Sequence, residues 1–227
     1  MSLIKGALVQ VTASALDIFP NVVAFQYNPA SVSRTISPFG TEEGESKRGT
    51  IAPGTQPYEP KETIELTLEL DGSDDLGLED PLTIATGVAP RIAAIEKMLR
   101  PTKSLFVDIV ESGLALGGKT LDTSALPERP TVPIVFFFWG PGRVLPVRIT
   151  TYSIEEQSFH PTLFPLRATV TVTLDVLTPS AFACQRGLVV DIAKAVYKVH
   201  RLGEDGMALT QFAKNLSDGV RLINGVS

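Results

Sequence analysis

The sequence predicts a mainly β domain followed by helices, and three stretches carry that reading. In Phe164 to Leu177, Leu166, Ala168, Val170, Val172, Leu174 and Val176 alternate with Arg167, Thr169, Thr171, Thr173 and Asp175. Successive side chains leave a strand on opposite sides, so this period of two describes a long strand with one buried face. In Val132 to Trp139 (VPIVFFFW) every position is apolar, the pattern of a strand covered on both faces. Past Pro179 the period changes to helical spacing, with Leu188, Ile192, Val196 and Val199 in one run and Leu209, Phe212, Leu216, Val220 and Ile223 in a second. Gly203 to Gly206 separates the two runs, which predicts two C-terminal helices. The change of period divides the chain into a β domain over 1–179 and a helical appendage over 180–227.

In chain order, Leu3 to Val11 reads as a strand and Val22 to Tyr27 as a second, ended by Asn28-Pro29. Proline fixes its own φ and pushes the preceding residue out of the helical region. Ser31 to Ser37 is a third short strand. From Pro38 to Lys61 glycine, proline and charge dominate, which makes a long loop. Glu62 to Asp71 resumes alternation with Ile64, Leu66, Leu68 and Leu70 inward. A polar turn over Asp71 to Asp80 leads to one internal helix, Val88 to Leu99. It places Ile92, Ile95 and Leu99 on one face and Lys97 and Arg100 near the end that favours cations, and it stops at Pro101. Leu105 to Val110 reads as a short strand and Glu111 to Pro130 as another loop. Arg143 to Phe159 then joins the two stretches described first into a β meander.

A chain of 227 residues with 44% hydrophobic content buries a real core without staples. Its net charge of −5 argues against a phosphate-binding surface, which needs clustered Lys and Arg, so no nucleic acid is expected as a partner. Cys184 is alone, which excludes an intrachain disulfide and a cysteine metal cluster. No run approaches the roughly 20 apolar residues that span a bilayer, and the opening MSLIKGALVQVT lacks the layout of a signal peptide, so a cytoplasmic protein without direct membrane insertion is expected.

The search for chemistry returns no catalytic, cofactor or metal site. His160 and His200 are the only histidines, and neither has a second ligand at a metal-type offset. His160, between Phe159 and Pro161, reads as a partly exposed turn histidine, and His200 as a histidine near a helix end. No G-x-S-x-G elbow is present. Cys184, beside Phe182 and Ala183, reads as a small buried residue at a helix start. Trp139-Gly140-Pro141-Gly142 is a tight turn, lacking the lysine and hydroxyl residue of a phosphate loop. The acids Asp71, Asp74, Asp75, Glu79 and Asp80 lack the spacing of a calcium loop and read as a solvated turn.

Four motifs fall in a recognisable order: Phe25-Gln26-Tyr27-Asn28-Pro29; an alternating strand ending in Asp71-Gly72; Pro133-x5-Trp139-Gly140; and Phe159-x5-Pro165-x-Arg167-Ala168 followed by alternating Val, Thr and Leu. Over about residues 1 to 180 this order resembles the tube proteins of contractile injection systems, and more narrowly the baseplate tube-initiator (tube-adaptor) subunit. The resemblance implies a split β-barrel of the phage tail-tube type. It also implies a non-enzymatic hexameric ring of identical subunits, stacked between the spike hub of the baseplate and the inner tube. Many relatives continue into a LysM module. Here no V-x-x-G-D-T-L run follows Asp175, so roles attached to that module do not carry over.

Two other classes remain open on the residues: a monomeric small-ligand β-barrel of the lipocalin type, and a hydrolase on a β scaffold. For the ring, the expected interface residues are Phe39, Ile51 and Tyr58, spaced along the polar loop as anchors of an assembly arm, and Arg167. An arginine flanked by apolar neighbours is costly without a partner, so a carboxylate is expected beside Arg167, within the subunit or across a boundary.

Overall fold

A computed structural model describes residues 4–11, 21–37, 59–73, 81–100, 133–183 and 185–224. The strands are β1 (Ala7–Val11), β2 (Asn21–Ala24), β3 (Val32–Ser37), β4 (Lys61–Asp71), β5 (Ile134–Phe138), β6 (Val144–Phe159) and β7 (Pro165–Val176). They form one seven-stranded antiparallel sheet in the order β2-β1-β5-β6-β7-β4-β3. The helices are α1 (Pro81–Thr86), α2 (Ala89–Lys97) and α3 (Leu188–Asn224), and a 3-10 turn spans Pro179–Phe182.

The expected strands inside the described residues are all present, and the two alternating runs pair with each other. β4 lies along β7 with Leu66 opposite Val172 and Leu68 opposite Val170. These four side chains are buried, each contributing on the order of 1.5–3 kcal/mol by leaving water. On the outer face the same ladder sets Thr67 against Thr171 and ends in charge pairs. Arg167 stands opposite Asp71 with Nε 2.9 Å from a carboxylate oxygen, and Lys61 Nζ lies 3.4 Å from Asp175. β5 is covered on both faces, as its unbroken apolar run requires. Phe137 enters the main core beside Phe25 and Trp139, whereas Phe136 packs in a second cluster with Phe182, Val190 and Ala193 of the C-terminal segment. The expected strand at 105–110 and the loop at 111–130 lie outside the described residues.

The sheet curls but does not close. β3 pairs only with residues 61–66 of β4, and beyond it the side chain of Gln26 bonds to the backbone of Asp71 from both its ends, at 2.6 and 2.9 Å. One amide thus stands where a strand would otherwise complete the ring of hydrogen bonds. α2 packs Ile92 and Ile95 into the core at this end, and Asn21 of β2 donates to the Ala94 carbonyl at 2.7 Å.

Three expectations about helices are corrected. The expected internal helix is present as α2, but a second short helix, α1, precedes it, because Pro81 suits a first helical turn and Gly87 then breaks the direction before Ala89. Gly87 has φ +57°, and a Cβ there would sit 2.2 Å from the Pro165 carbonyl, so only glycine fits. The two C-terminal helices are one helix of 37 residues running through Gly203 and Gly206, since glycine weakens a helix interior by only about 1 kcal/mol and does not by itself end it. The face of α3 turned to the sheet is also not the one expected. Val189, Val190, Ala193, Tyr197 and His200 are buried, while of the expected residues Leu188, Ile192 and Val199 face outward and Val196 packs against the second cluster.

Candidate functional site: a charged clasp between the sheet and the C-terminal helix

Strand parity decides what β4 presents at its other end. Glu62 shares the inward face with Ile64, Leu66, Leu68 and Leu70, so a carboxylate enters the core with no solvent exposure. Neighbouring β3 sets Arg34 on the same side, beside Ile64. α3 crosses here and presents Tyr197, His200, Arg201 and Glu204, residues that share one helix face by their spacing.

These groups close a ring of alternating charge. Glu62 accepts from the Nε of Arg34 and, at 3.1 Å, from the Nη2 of Arg201. Glu204 completes the circuit, lying 2.8 Å from Arg34 Nη2 and accepting from Arg201 Nη1 at 2.6 Å. The Arg201 Nε donates to the Tyr197 hydroxyl at 3.0 Å, and its guanidinium lies 5.1 Å from the centre of that ring. A carbonyl only accepts, so His200 carries its proton on Nδ1 toward the Gly142 oxygen, 3.2 Å away, and its Nε2 stands 3.5 Å from Glu204. The clasp thereby joins β3, β4, the β5–β6 turn and α3 through contacts between residues 28 to 170 positions apart.

The proton affinities follow from this geometry. The hydrogen bond with Glu62 raises the pKa of Arg34 further, outweighing burial. Burial works against the charge of Arg201, but hydrogen bonds with Tyr197 and Glu204 prevail and raise it. Burial pushes Glu204 up, yet the bonds from Arg201 and Arg34 win and hold it below the ordinary 4.5. Burial, together with a bond to Glu59, pushes the Tyr197 phenol up.

Between the clasp and Trp139 lies a cleft of about 280 Å³, with Val32, Phe137, Arg143 and Leu145 among its walls. Two arginines answer two carboxylates here, and the His200 Nδ1–H is taken by the Gly142 carbonyl. The arrangement holds elements together. Among the described residues no group of three or more His, Cys, Asp and Glu side chains gathers to hold a metal ion, and no helix is long and apolar enough to cross a membrane.

Of the residues singled out from the sequence, Arg167 finds its carboxylate within the subunit, in Asp71, at the far end of β4 from the clasp. Phe39, Ile51 and Tyr58, with nearly all of the polar loop, lie outside the described residues, as does Cys184. His160 is the turn histidine expected, its Nδ1 2.8 Å from the Thr162 hydroxyl in the β6–β7 hairpin. His200 is a correction: it is 6% exposed in the interior of α3, because the helix continues where glycine suggested an end. Glu62 went unnoticed, although its parity with four inward residues of the same strand was the available signal. Comparison of the chain with family models and with curated proteins gave no match.

Proposed function

We propose that the chain is a structural subunit of a contractile injection system, forming the hexameric tube-initiator ring that joins the baseplate spike hub to the inner tube. The family part of this reading rests on the four ordered motifs. The observation that supports ring formation is the open sheet. β2 and β3 end it, and β6 is paired by β5 only over Val144–Val147, so its distal half has no strand on that side among the described residues. Unpaired edges are templates for another chain, and edges at two different places on one subunit give the head-to-tail contact that closes cyclic rings. A split barrel completed by neighbours is the form in which the curled sheet serves this role. The β6–β7 hairpin adds a second surface, with Phe159, Leu163 and Phe164 exposed at its tip, suited to stacking on the inner-tube protein or the hub.

The lipocalin-type alternative has less support. A barrel of that type surrounds its ligand with the inward face of the strands, whereas here Leu8, Leu66, Val170, Val172 and Leu174 fill the interior. In the proposed role the chain is non-enzymatic and needs no cofactor. It is made in the cytoplasm and enters a phage tail-like particle. Negative-stain imaging of the purified protein tests the reading, with rings of about six subunits expected. A protein that stays monomeric at all concentrations and binds one small ligand per chain overturns it.

A further inference from the structure

We infer that α3 carries a coiled-coil seam for the α3 helix of a second copy of this chain, aligned parallel and in register. The outward residues fall at alternating steps of four and three: Leu188, Ile192, Ala195, Val199, Leu202, Gly206, Leu209 and Ala213, and the sequence keeps the same spacing through Leu216, Val220 and Ile223. This is the seven-residue spacing of a coiled coil along a helix of 37 residues, with small residues at 195, 206 and 213. The face that packs on the sheet, with Val190, Ala193, Tyr197 and His200, lies on the other side of the helix from this seam.

The seam is open. Leu188, Ile192, Val199, Leu202 and Leu209 are 41–76% exposed, and from Asp205 to Asn215 every residue is exposed, so the helix projects from the sheet with no cover among the described residues. A projecting helix of some twenty residues is marginal in water without a packed face. The side-chain choice selects the occupant. Ile192, Val199, Gly206, Ala213 and Val220 hold one seam position and Leu188, Ala195, Leu202, Leu209, Leu216 and Ile223 the other. The larger residues are thus β-branched at the first and mainly leucine at the second, the combination that favours two parallel strands, with small residues at 195, 206 and 213. In that alignment the flanking positions set Asp191 against Val196, Lys198 against Gly203 and Asp205 against Thr210 of the copy, so no like charges oppose. At roughly 80 Å² for each of the sixteen larger side chains of a pair, the paired helices bury on the order of 1,300 Å², at the lower end of the range of specific stable interfaces.

The inference does not rest on the ring. Its test uses the full chain with Cys184→Ser, so that an added cysteine is the only thiol. Leu209→Cys, on the seam, is expected to form a disulfide-linked dimer under mild oxidation, and Gln211→Cys, on the opposite side of the helix, is expected to do so at least tenfold less. In sedimentation equilibrium, Leu202→Glu with Val199→Glu is expected to weaken association at least tenfold while leaving the thermal unfolding of the sheet in place, since both residues are exposed in the single chain. Equal cross-linking at 209 and 211, no cross-linking at either, or association unchanged by the two glutamates overturns the inference. Failure of the ring reading alone leaves a dimer that cross-links at 209. Failure of the seam alone leaves six-membered rings that do not.

Discussion

Glu62 has no contact with water, and its two oxygens are taken by the guanidinium groups of Arg34 and Arg201. Glu62→Gln preserves shape but strips the charge that both arginines face. Because each arginine is about a third exposed, the expected loss is about 2–3 kcal/mol, below the 3–5 kcal/mol of a fully buried pair, read as a lower urea midpoint at unchanged slope. Acid acts on the same clasp through Glu204. Its folded pKa lies below the ordinary 4.5, so its stabilisation is complete above about that pH and is lost as pH falls through the folded value. Asp71 adds to this in the same direction, its pKa lowered chiefly by hydrogen bonds from Ser73 and also by Arg167. Urea midpoints measured from pH 7 down to 3 should therefore drop below pH 4.5, and Glu204→Gln should flatten part of that drop while lowering the plateau. Gly87→Ala is the severest single change expected, because a methyl group cannot occupy a point 2.2 Å from a carbonyl oxygen. It should cost more than about 2 kcal/mol, measured as a fall in melting temperature.

At the level of elements, strands were legible and helix ends were not. Alternation in β4 and β7 and the unbroken apolar run of β5 state directly which faces are covered, since the strand period is an integer and each residue's side follows from its parity. α3 was misread at two points for one reason. Gly203 and Gly206 resemble punctuation locally, whereas Arg201 and Glu204 on either side of Gly203 are held by Arg34 and Glu62, contacts visible only once the sheet brings distant residues together. The same blindness hid the sheet-facing side of α3, because Val189, Val190 and Tyr197 are no more apolar than the outward Leu188, Ile192 and Val199. Gly203 makes no use of its freedom, since a Cβ there meets nothing within 4 Å. Gly203→Ala should stabilise the chain by about 0.5–1 kcal/mol, seen as increased helical circular dichroism and a higher melting temperature. The clasp itself was only partly readable: parity with four inward residues could have flagged Glu62 but was not used, and nothing local pairs it with a residue 139 positions away.

For the whole molecule, the hairpin of β6 and β7 separates stability from assembly. Leu163 sits at its turn with φ +66° and 80% exposure, a backbone conformation that costs a leucine about 1 kcal/mol or more and a side chain that packs on nothing described. Leu163→Gly should raise the stability of the isolated subunit by about 1 kcal/mol and yet, under the tube-initiator function proposed above, weaken stacking of rings on the inner tube, and Leu163→Asp should weaken it more. Co-sedimentation with assembled tubes and unfolding of the free subunit measure the two effects apart. If both variants stack like the parent chain, the tip is not a contact.

The strand order also governs how the chain comes into being. β1 lies between β2 and β5, with Leu8 facing Phe137, so β1 gains its second partner only after more than 120 further residues have been made. Until then β1 and β2 are a bare hairpin with one edge unfilled, and two-stranded hairpins are at best marginal alone. Long-range pairing of this kind slows folding, since the loop must close before its contacts contribute. Refolding in milliseconds to seconds is the expectation, with protection of the β1 amides appearing last, and the nascent chain depends during that interval on staying dilute or chaperoned.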